Sequence, residues 1–286
     1  MIKPSAPIVG AHTSIAGGLV NAVRSAVEKG CDCFQIFARN PRGWLARELS
    51  PSEVREFRNS REAAALWPFA IHSIYLINLA AQDPAALARS RAAFRQEIKR
   101  SVELGAEYLV VHPGNPRTAP AEVGIATAIE SIREAARGLN LSGLTILIEN
   151  TAGQGSSIGC DFEQVADILA ALDDMPVGVC LDTAHTLASG YDISTEAGFR
   201  KTIRAINRSF GFDRIKLIHS NDSKAPCGAR VDRHQHIGLG HIGEEGFRRL
   251  TSNLKFRRVP FILETPVDAE RDDKWNIRRF RELSGS

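Results

Sequence analysis

Six short apolar runs in this 286-residue chain are each followed at once by an imidazole or a carboxylate: His72, His112, Glu149, Asp182, His219 and Glu264. All six are side chains that ligate divalent metal ions. They recur 33 to 45 residues apart, about the length of one strand-and-helix unit. A single His or Glu at a strand end is ordinarily a hydrogen-bonded rim residue. Six consecutive ones are not, because chance would fill six set positions with His, Asp or Glu about once in a million, before allowing for the choice of run ends. Two neighbouring pairs extend the set. Asp182-Thr183-Ala184-His185 spaces a carboxylate and an imidazole to share one face of a helical turn. Asp232-Arg233-His234 spaces them to point one way from an extended loop.

These nine candidates outnumber the roughly four to six donors of one ion, so several ions are expected. Mixed nitrogen and oxygen donors without thiolate suit zinc, manganese or iron better than calcium or magnesium. Two such ions about 3.5 to 4 Å apart can bridge a hydroxide and clamp the attacking and leaving oxygens of a phosphoryl displacement. Phosphodiester hydrolysis is the chemistry this favours. No serine or cysteine nucleophile motif and no glycine-rich phosphate loop of Walker type is present, so neither a covalent intermediate nor a nucleotide cofactor is expected.

Residues this far apart meet only if the fold gathers the strand ends. The apolar runs are Ile8 to Ala11, Cys33 to Phe37, Phe69 to Ile71, Tyr108 to Val111, Thr145 to Ile148, Val177 to Leu181, Ile215 to Ile218 and Phe261 to Leu263. Amphipathic segments separate them. Ser50-Pro51-Ser52-Glu53 reads as a capping box, and Asp83-Pro84 and Asp161 to Gln164 as further helix starts. Gly30, Gly105 and Gly138 read as stops. Eight strands alternating with helices, with no linker-like segment, predict one α/β domain over residues 1–286, a (β/α)8 TIM barrel whose C-terminal strand ends form one mouth.

Composition sets the limits. The chain is 43% hydrophobic and 24% charged, which excludes disorder and collagen-like repeats. Thirty-six basic residues against 33 acidic ones give a formal charge of +3, which permits a polyanionic partner without requiring one. Several divalent ions in the mouth would add positive charge that this count omits. No secretion signal and no 18-residue apolar stretch is present, so membrane association is not expected. Five cysteines without such a signal read as reduced structural thiols of a cytoplasmic protein.

Longer motifs carry a resemblance. Gly10-Ala11-His12-Thr13-Ser14 with Gly17-Gly18, His72 to Leu79, Val111-His112-Pro113-Gly114, and Ile148 to Gly155 occur in order along the chain. Cys180 to His185, Asn221 to Lys224, Arg230 to His234 and Leu263-Glu264-Thr265 follow. In these the sequence resembles the endonuclease IV family of AP endonucleases, which repair abasic sites in DNA. The resemblance implies a (β/α)8 barrel with three zinc ions, manganese being an alternative at one site. His72, His112 and Glu149 would hold the first ion, Glu149 bridging to a second with Asp182, His219 and Glu264. His185, Asp232 and His234 would hold the third. A metal-activated hydroxide would attack the phosphate 5′ to the abasic sugar in double-stranded DNA, leaving a 3′-hydroxyl and a 5′-deoxyribose phosphate, with Glu149 catalytic. A monomer is expected.

Arg42, Tyr75 and Leu76 match the side chains the family inserts into the duplex. Wedges cost unstacking energy, which an abasic gap partly removes, so damage is the cheapest place to open. From the residues alone, Tyr75 and Leu76 read equally well as core and Arg42 as a solvated loop residue. Arg39, Arg47 and Arg230 stand near the expected mouth. Two positions depart from the family: Leu239, where glutamate is common, and Ile74, where proline is. His12, His236 and His241 are expected to be structural or to orient ligands. The alternative enzyme class is a sugar isomerase or epimerase, whose related barrels hold one or two ions and need neither the third set nor the wedges.

Overall fold

The structure, a computed structural model, describes residues 6–285. Eight parallel strands close into a barrel: β1 (Val9–His12), β2 (Cys33–Phe37), β3 (Phe69–His72), β4 (Tyr108–Val111), β5 (Thr145–Glu149), β6 (Val177–Asp182), β7 (Ile215–His219) and β10 (Phe261–Leu263). Each pairs with its sequence neighbour, and β10 closes on β1 through Val9, Gly10 and Ala11 opposite Phe261, Ile262 and Leu263. The (β/α)8 expectation holds, and every expected strand lies within a residue of its place. Between β7 and β10, two short strands, β8 (Asp222–Ser223) and β9 (His234–Gln235), pair antiparallel. At two residues apiece they have no readable periodicity, and sequence reading treated this segment as loop.

The helical ring includes α1 (Leu19–Glu28), α2 (Pro51–Ala63), α3 (Pro84–Leu104), α4 (Ala121–Ala136), α5 (Phe162–Ala171) and α6 (Thr183–Ala188). Helix α2 starts in the expected capping box, with Glu53 N–H on Ser50 Oγ at 3.2 Å and Ser50 N–H on Glu53 Oε2 at 3.0 Å. Asp83 caps α3 by accepting from Ala86 N–H at 2.8 Å. Asp161 does not cap α5 with its side chain. There Gln164 Oε1 accepts from Gly159 N–H, tying the helix start to the loop before it.

Two apolar layers hold the barrel. The larger lies between strands and helices and contains Phe34, Phe69, Phe94, Phe162, Phe247 and Phe261. The smaller fills the lumen with one residue per strand: Cys33, Ala70, Val110, Leu147, Cys180, Leu217 and Ile262. Strand β1 contributes Gly10, where a Cβ would stand 1.7 Å from Cys33 O, so only glycine fits. Cys31, Cys160 and the two lumen cysteines are buried as expected, but Cys227 is exposed.

Candidate metal centre

Alternate residues of a strand face the same way, so the position two beyond each lumen residue faces the lumen again, now at the open C-terminal end. Counting two on from Gly10 and the seven plug residues gives His12, Gln35, His72, His112, Glu149, Asp182, His219 and Glu264. Seven of these eight directly follow apolar runs, His12 behind the first and the six candidate donors behind the last six, while Gln35 lies inside its run. They form one ring of side chains on an apolar floor, and the strand period that builds the core also aims the donors.

Glu149 occupies the middle. Its side chain is fully buried, and its Oε2 lies 3.1 Å from both His72 Nε2 and His112 Nε2. Its Oε1 lies 3.0 Å from His219 Nδ1 and 3.4 Å from His185 Nδ1. Glu264 Oε2 is 3.3 Å from the same His219 nitrogen. Donor atoms of Glu149, Asp182, His219 and Glu264 all lie within 4.8 Å of one another, as do those of His72, His112 and Glu149.

The third set is assembled differently. Asp182 caps α6, accepting from His185 N–H at 2.7 Å, so this segment does turn helically and puts both side chains at the mouth. His234 arrives on the ribbon, paired with Ser223. Asp232 bridges the two imidazoles, with Oδ2 3.3 Å from His185 Nε2 and Oδ1 3.4 Å from His234 Nε2. Asp182 Oδ2 is also 3.8 Å from His234 Nε2, and Asp182, His185 and His234 form the tighter cluster. Asp182 thus stands between two groups, where sequence reading assigned it to one.

Carbonyl oxygens only accept, so an imidazole nitrogen facing one carries the proton. His72 Nδ1 donates to Ser73 O at 2.7 Å, His185 Nδ1 to Asn150 O at 2.9 Å and His234 Nδ1 to Glu264 O at 3.1 Å. Each ring thereby keeps Nε2 as the nitrogen turned to the carboxylates, the one that can ligate a metal once its proton is displaced. In His219 the two nitrogens exchange roles. Its Nε2 faces Gln35 Oε1 at 2.9 Å, which leaves Nδ1 toward Glu149 and Glu264. His234 Nε2 is buried without a hydrogen-bond partner, an arrangement costly for a protein on its own and suited to a cation.

The charges agree. Burial disfavours ionised Glu149, yet His219 and His112 hold it well below the usual carboxylate range. Burial likewise disfavours charge on His185, but Asp182, Asp232 and Glu149 raise it well above its ordinary value. Asp232 is lowered to about 2, the imidazoles of His185 and His234 outweighing its burial. Cys180 also falls within reach of Glu149 and His219, but burial pushes its thiol up to about 12, so it offers no thiolate. The donor set is nitrogen and oxygen.

Sequence reading missed the residues that orient these donors. Gln35 Nε2 donates to Glu264 Oε1 at 2.7 Å and lies 3.1 Å from His12 Nδ1. Asn150 Oδ1 accepts from Asp182 N–H at 2.8 Å. Asn221 Nδ2 donates to Asp182 Oδ2 at 2.7 Å. A polar residue inside an apolar strand and asparagines close behind candidate ligands were the available signals. His12 behaves as expected, orienting the Gln35 and Glu264 pair. His236 is held by Asp268 at 2.8 Å, and His241 is exposed.

A cavity of about 270 Å³ opens beside the centre, lined by His72, His112, His185, Asp232, Asn78 and Tyr75. Tyr75 is 68% exposed, its ring edge-on to Phe37 at 5.0 Å between centroids. Tyr75 is therefore not core, whereas Leu76 is half-buried against it. Ile74 is buried and Leu239 is half-exposed. Arg42 is exposed on the loop after β2. Arg39 is only 4% exposed and ion-paired with Glu97, so it faces no solvent from which to meet a phosphate. Arg47 is exposed but paired with Glu53.

A closed parallel barrel with this ring of imidazoles and carboxylates at its C-terminal mouth defines a metal-dependent TIM-barrel enzyme. Residues 23–283 match the family described as xylose isomerase-like TIM barrel. Within it the chain belongs to the endonuclease IV family. It is 46% identical over 281 residues to a probable endonuclease 4 of Solibacter usitatus, covering 97% of each. It also superposes on endonuclease IV from Thermus thermophilus with a TM-score of 0.87 and 40% identity, covering 97% of this chain and 98% of that one. A D-tagatose 3-epimerase-like protein superposes with a TM-score of 0.71 at 18% identity over 96% of this chain and 98% of that one, which shows the fold alone. No helix among the described residues is long and apolar enough to cross a membrane.

Proposed function

We propose that the protein is an AP endonuclease that hydrolyses the phosphodiester 5′ to an abasic site in double-stranded DNA, leaving a 3′-hydroxyl and a 5′-deoxyribose phosphate. The observation that carries this is the buried Glu149 carboxylate, each of whose oxygens faces a different group of imidazoles. Such a carboxylate fits two cations at once. His72 and His112 would complete the first zinc site, Asp182, His219 and Glu264 the second, and His185, Asp232 and His234 the third, with manganese an alternative at one. When bound, the ions supply an activated water at neutral pH and neutralise charge developing on the phosphate.

The chain's own part is orientation and selection. Glu149 spaces the two halves of the centre, and the backbone carbonyls of Ser73, Asn150 and Glu264 hold three imidazoles in the tautomer that can ligate. Tyr75, exposed on the rim of the cavity, would stack where a base has been lost, with Leu76 and Arg42 entering the duplex beside it. Opening is cheapest at a site without a base, so the wedge itself discriminates damage. The protein acts as a monomer in this reading, on DNA in the cytoplasm.

Incubating metal-replete protein with a duplex carrying one abasic analogue tests it. A single nick 5′ to the lesion is expected, and intact duplex under those conditions overturns the reading.

A further inference from the structure

Residues 38 to 50 join β2 to α2 without regular structure and carry Arg42 at their exposed tip. Something must hold such a loop if Arg42 is to enter DNA at a fixed place. Two buried guanidiniums do so. Arg39 Nη1 donates to Trp44 O at 2.9 Å and Nη2 to Ala93 O at 3.2 Å. Arg100 Nη1 donates to Arg47 O at 2.7 Å and Nε to Ala38 O at 3.3 Å. The carbonyls of Ala38, Trp44 and Arg47 bracket Arg42 on both sides. Arg89 adds a contact from outside, its guanidinium 5.4 Å from the Trp44 ring centroid.

Arg39 belongs to the loop itself; its partners and the other anchors come from α3, where Arg89, Ala93, Glu97 and Arg100 recur at spacings that share one helix face. Glu97 is the one of these that forms an ion pair with Arg39. It is fully buried, its Oε1 accepts from Arg39 Nε at 2.6 Å, and its Oε2 is buried with no hydrogen-bond partner. Among the described residues this is the only ion pair Arg39 makes. Two buried cations with one buried anion are stable only while the anion keeps its charge. Glu97 has no place in the metal centre, and a half-satisfied carboxylate is a poor filler for an apolar core.

We propose that Glu97 is a positioning residue for DNA binding: its charge holds Arg39 on the Trp44 carbonyl, beside Arg100 on those of Ala38 and Arg47, and so fixes the loop after β2 and where Arg42 meets the duplex. The inference rests on the reading of Arg42 as an inserted side chain. Misplacing a substrate-contacting group by about 1 Å is enough to cost an order of magnitude or more.

The test is Glu97→Gln, which keeps shape and an acceptor oxygen but removes the charge. Backbone amides of residues 38 to 48 should exchange with solvent faster while those of the barrel strands keep their protection. KM for abasic duplex should rise about tenfold with kcat and bound metal nearly unchanged. In an Arg42→Ala background the same substitution should add little. Unchanged loop exchange, or a fall in kcat with loss of metal, overturns the proposal. An unchanged KM in Arg42→Ala alone would instead overturn the wedge reading and leave the loop measurement standing by itself. Should Glu97→Gln fail to fold, Arg100→Lys, which keeps the charge but loses the fork to Ala38 and Arg47, must show the same local exchange or the proposal falls.

Discussion

Asn221 Nδ2 donates to Asp182 Oδ2 at 2.7 Å while its own Oδ1 accepts from the backbone N–H of Glu264 at 2.7 Å. One amide thus fixes the side chain of one candidate ligand and the backbone of another, on strands that are not neighbours. Loss of such outer partners typically weakens metal binding by about 10- to 100-fold. Asn221→Ala is expected to do so, read by residual metal after dialysis against a graded chelator series. Wild-type retention in the variant would show that Asp182 needs no support.

Glu149→Gln keeps the shape of the bridging side chain and removes its charge. Cleavage of abasic duplex is expected to fall roughly a thousandfold or more, because a charge term of several kcal/mol is lost at the reacting phosphate. Duplex affinity should persist, since Tyr75 and Arg42 lie outside the centre. Gel-shift and single-turnover nicking measured on the same preparation separate the two, and parallel losses would argue that Glu149 serves folding instead.

Protons compete with metal at this site. In the metal-free protein His185 is raised above its ordinary 6.5, so its contribution to stability is complete below that value and disappears as pH rises through the raised one. Glu149 is depressed from 4.5, so its contribution is complete above that value and disappears as pH falls toward the depressed one. Metal must expel the His185 proton, which becomes easier as pH rises. The gap in Tm between metal-loaded and metal-free protein should therefore widen from about pH 5.5 to about pH 8. A gap independent of pH would mean that no ligand proton is displaced.

Tyr75 and Leu76 are expected to part company under substitution. Tyr75→Ala removes an exposed ring and should leave Tm nearly unchanged while weakening abasic-duplex binding by about 1–3 kcal/mol, the usual worth of one aromatic stack. Leu76→Ala should also lower stability by about 1–2 kcal/mol, because its side chain is half-buried against the core. Thermal melts and fluorescence-anisotropy titrations of both variants give the comparison; a large loss of stability in Tyr75→Ala would make that ring structural.

The ring of candidate donors was legible in the sequence because two periods coincide: the strand-and-helix repeat spaces His72, His112, Glu149, Asp182, His219 and Glu264, and the twofold alternation along each strand aims them. Gln35 obeys the same alternation but sits inside an apolar run, so a reading that looked only at the residue after each run passed over it. The ribbon that presents His234 is too short to show a period. Arg39, read as lying near the mouth, is drawn inward by Glu97, a partner 58 residues away that only the closed barrel brings near. Asp161 shows the local limit, since a capping sequence was present and the side-chain bond did not form.

The proposed ligands come from six barrel strands plus α6 and the ribbon segment, so no contiguous piece of the chain carries a complete set. A chain still emerging from the ribosome, or one proteolysed within the barrel, has the residues of a nuclease without the nuclease. Closure of the last strand, which brings Glu264 beside His219, is what completes the proposed ligand set.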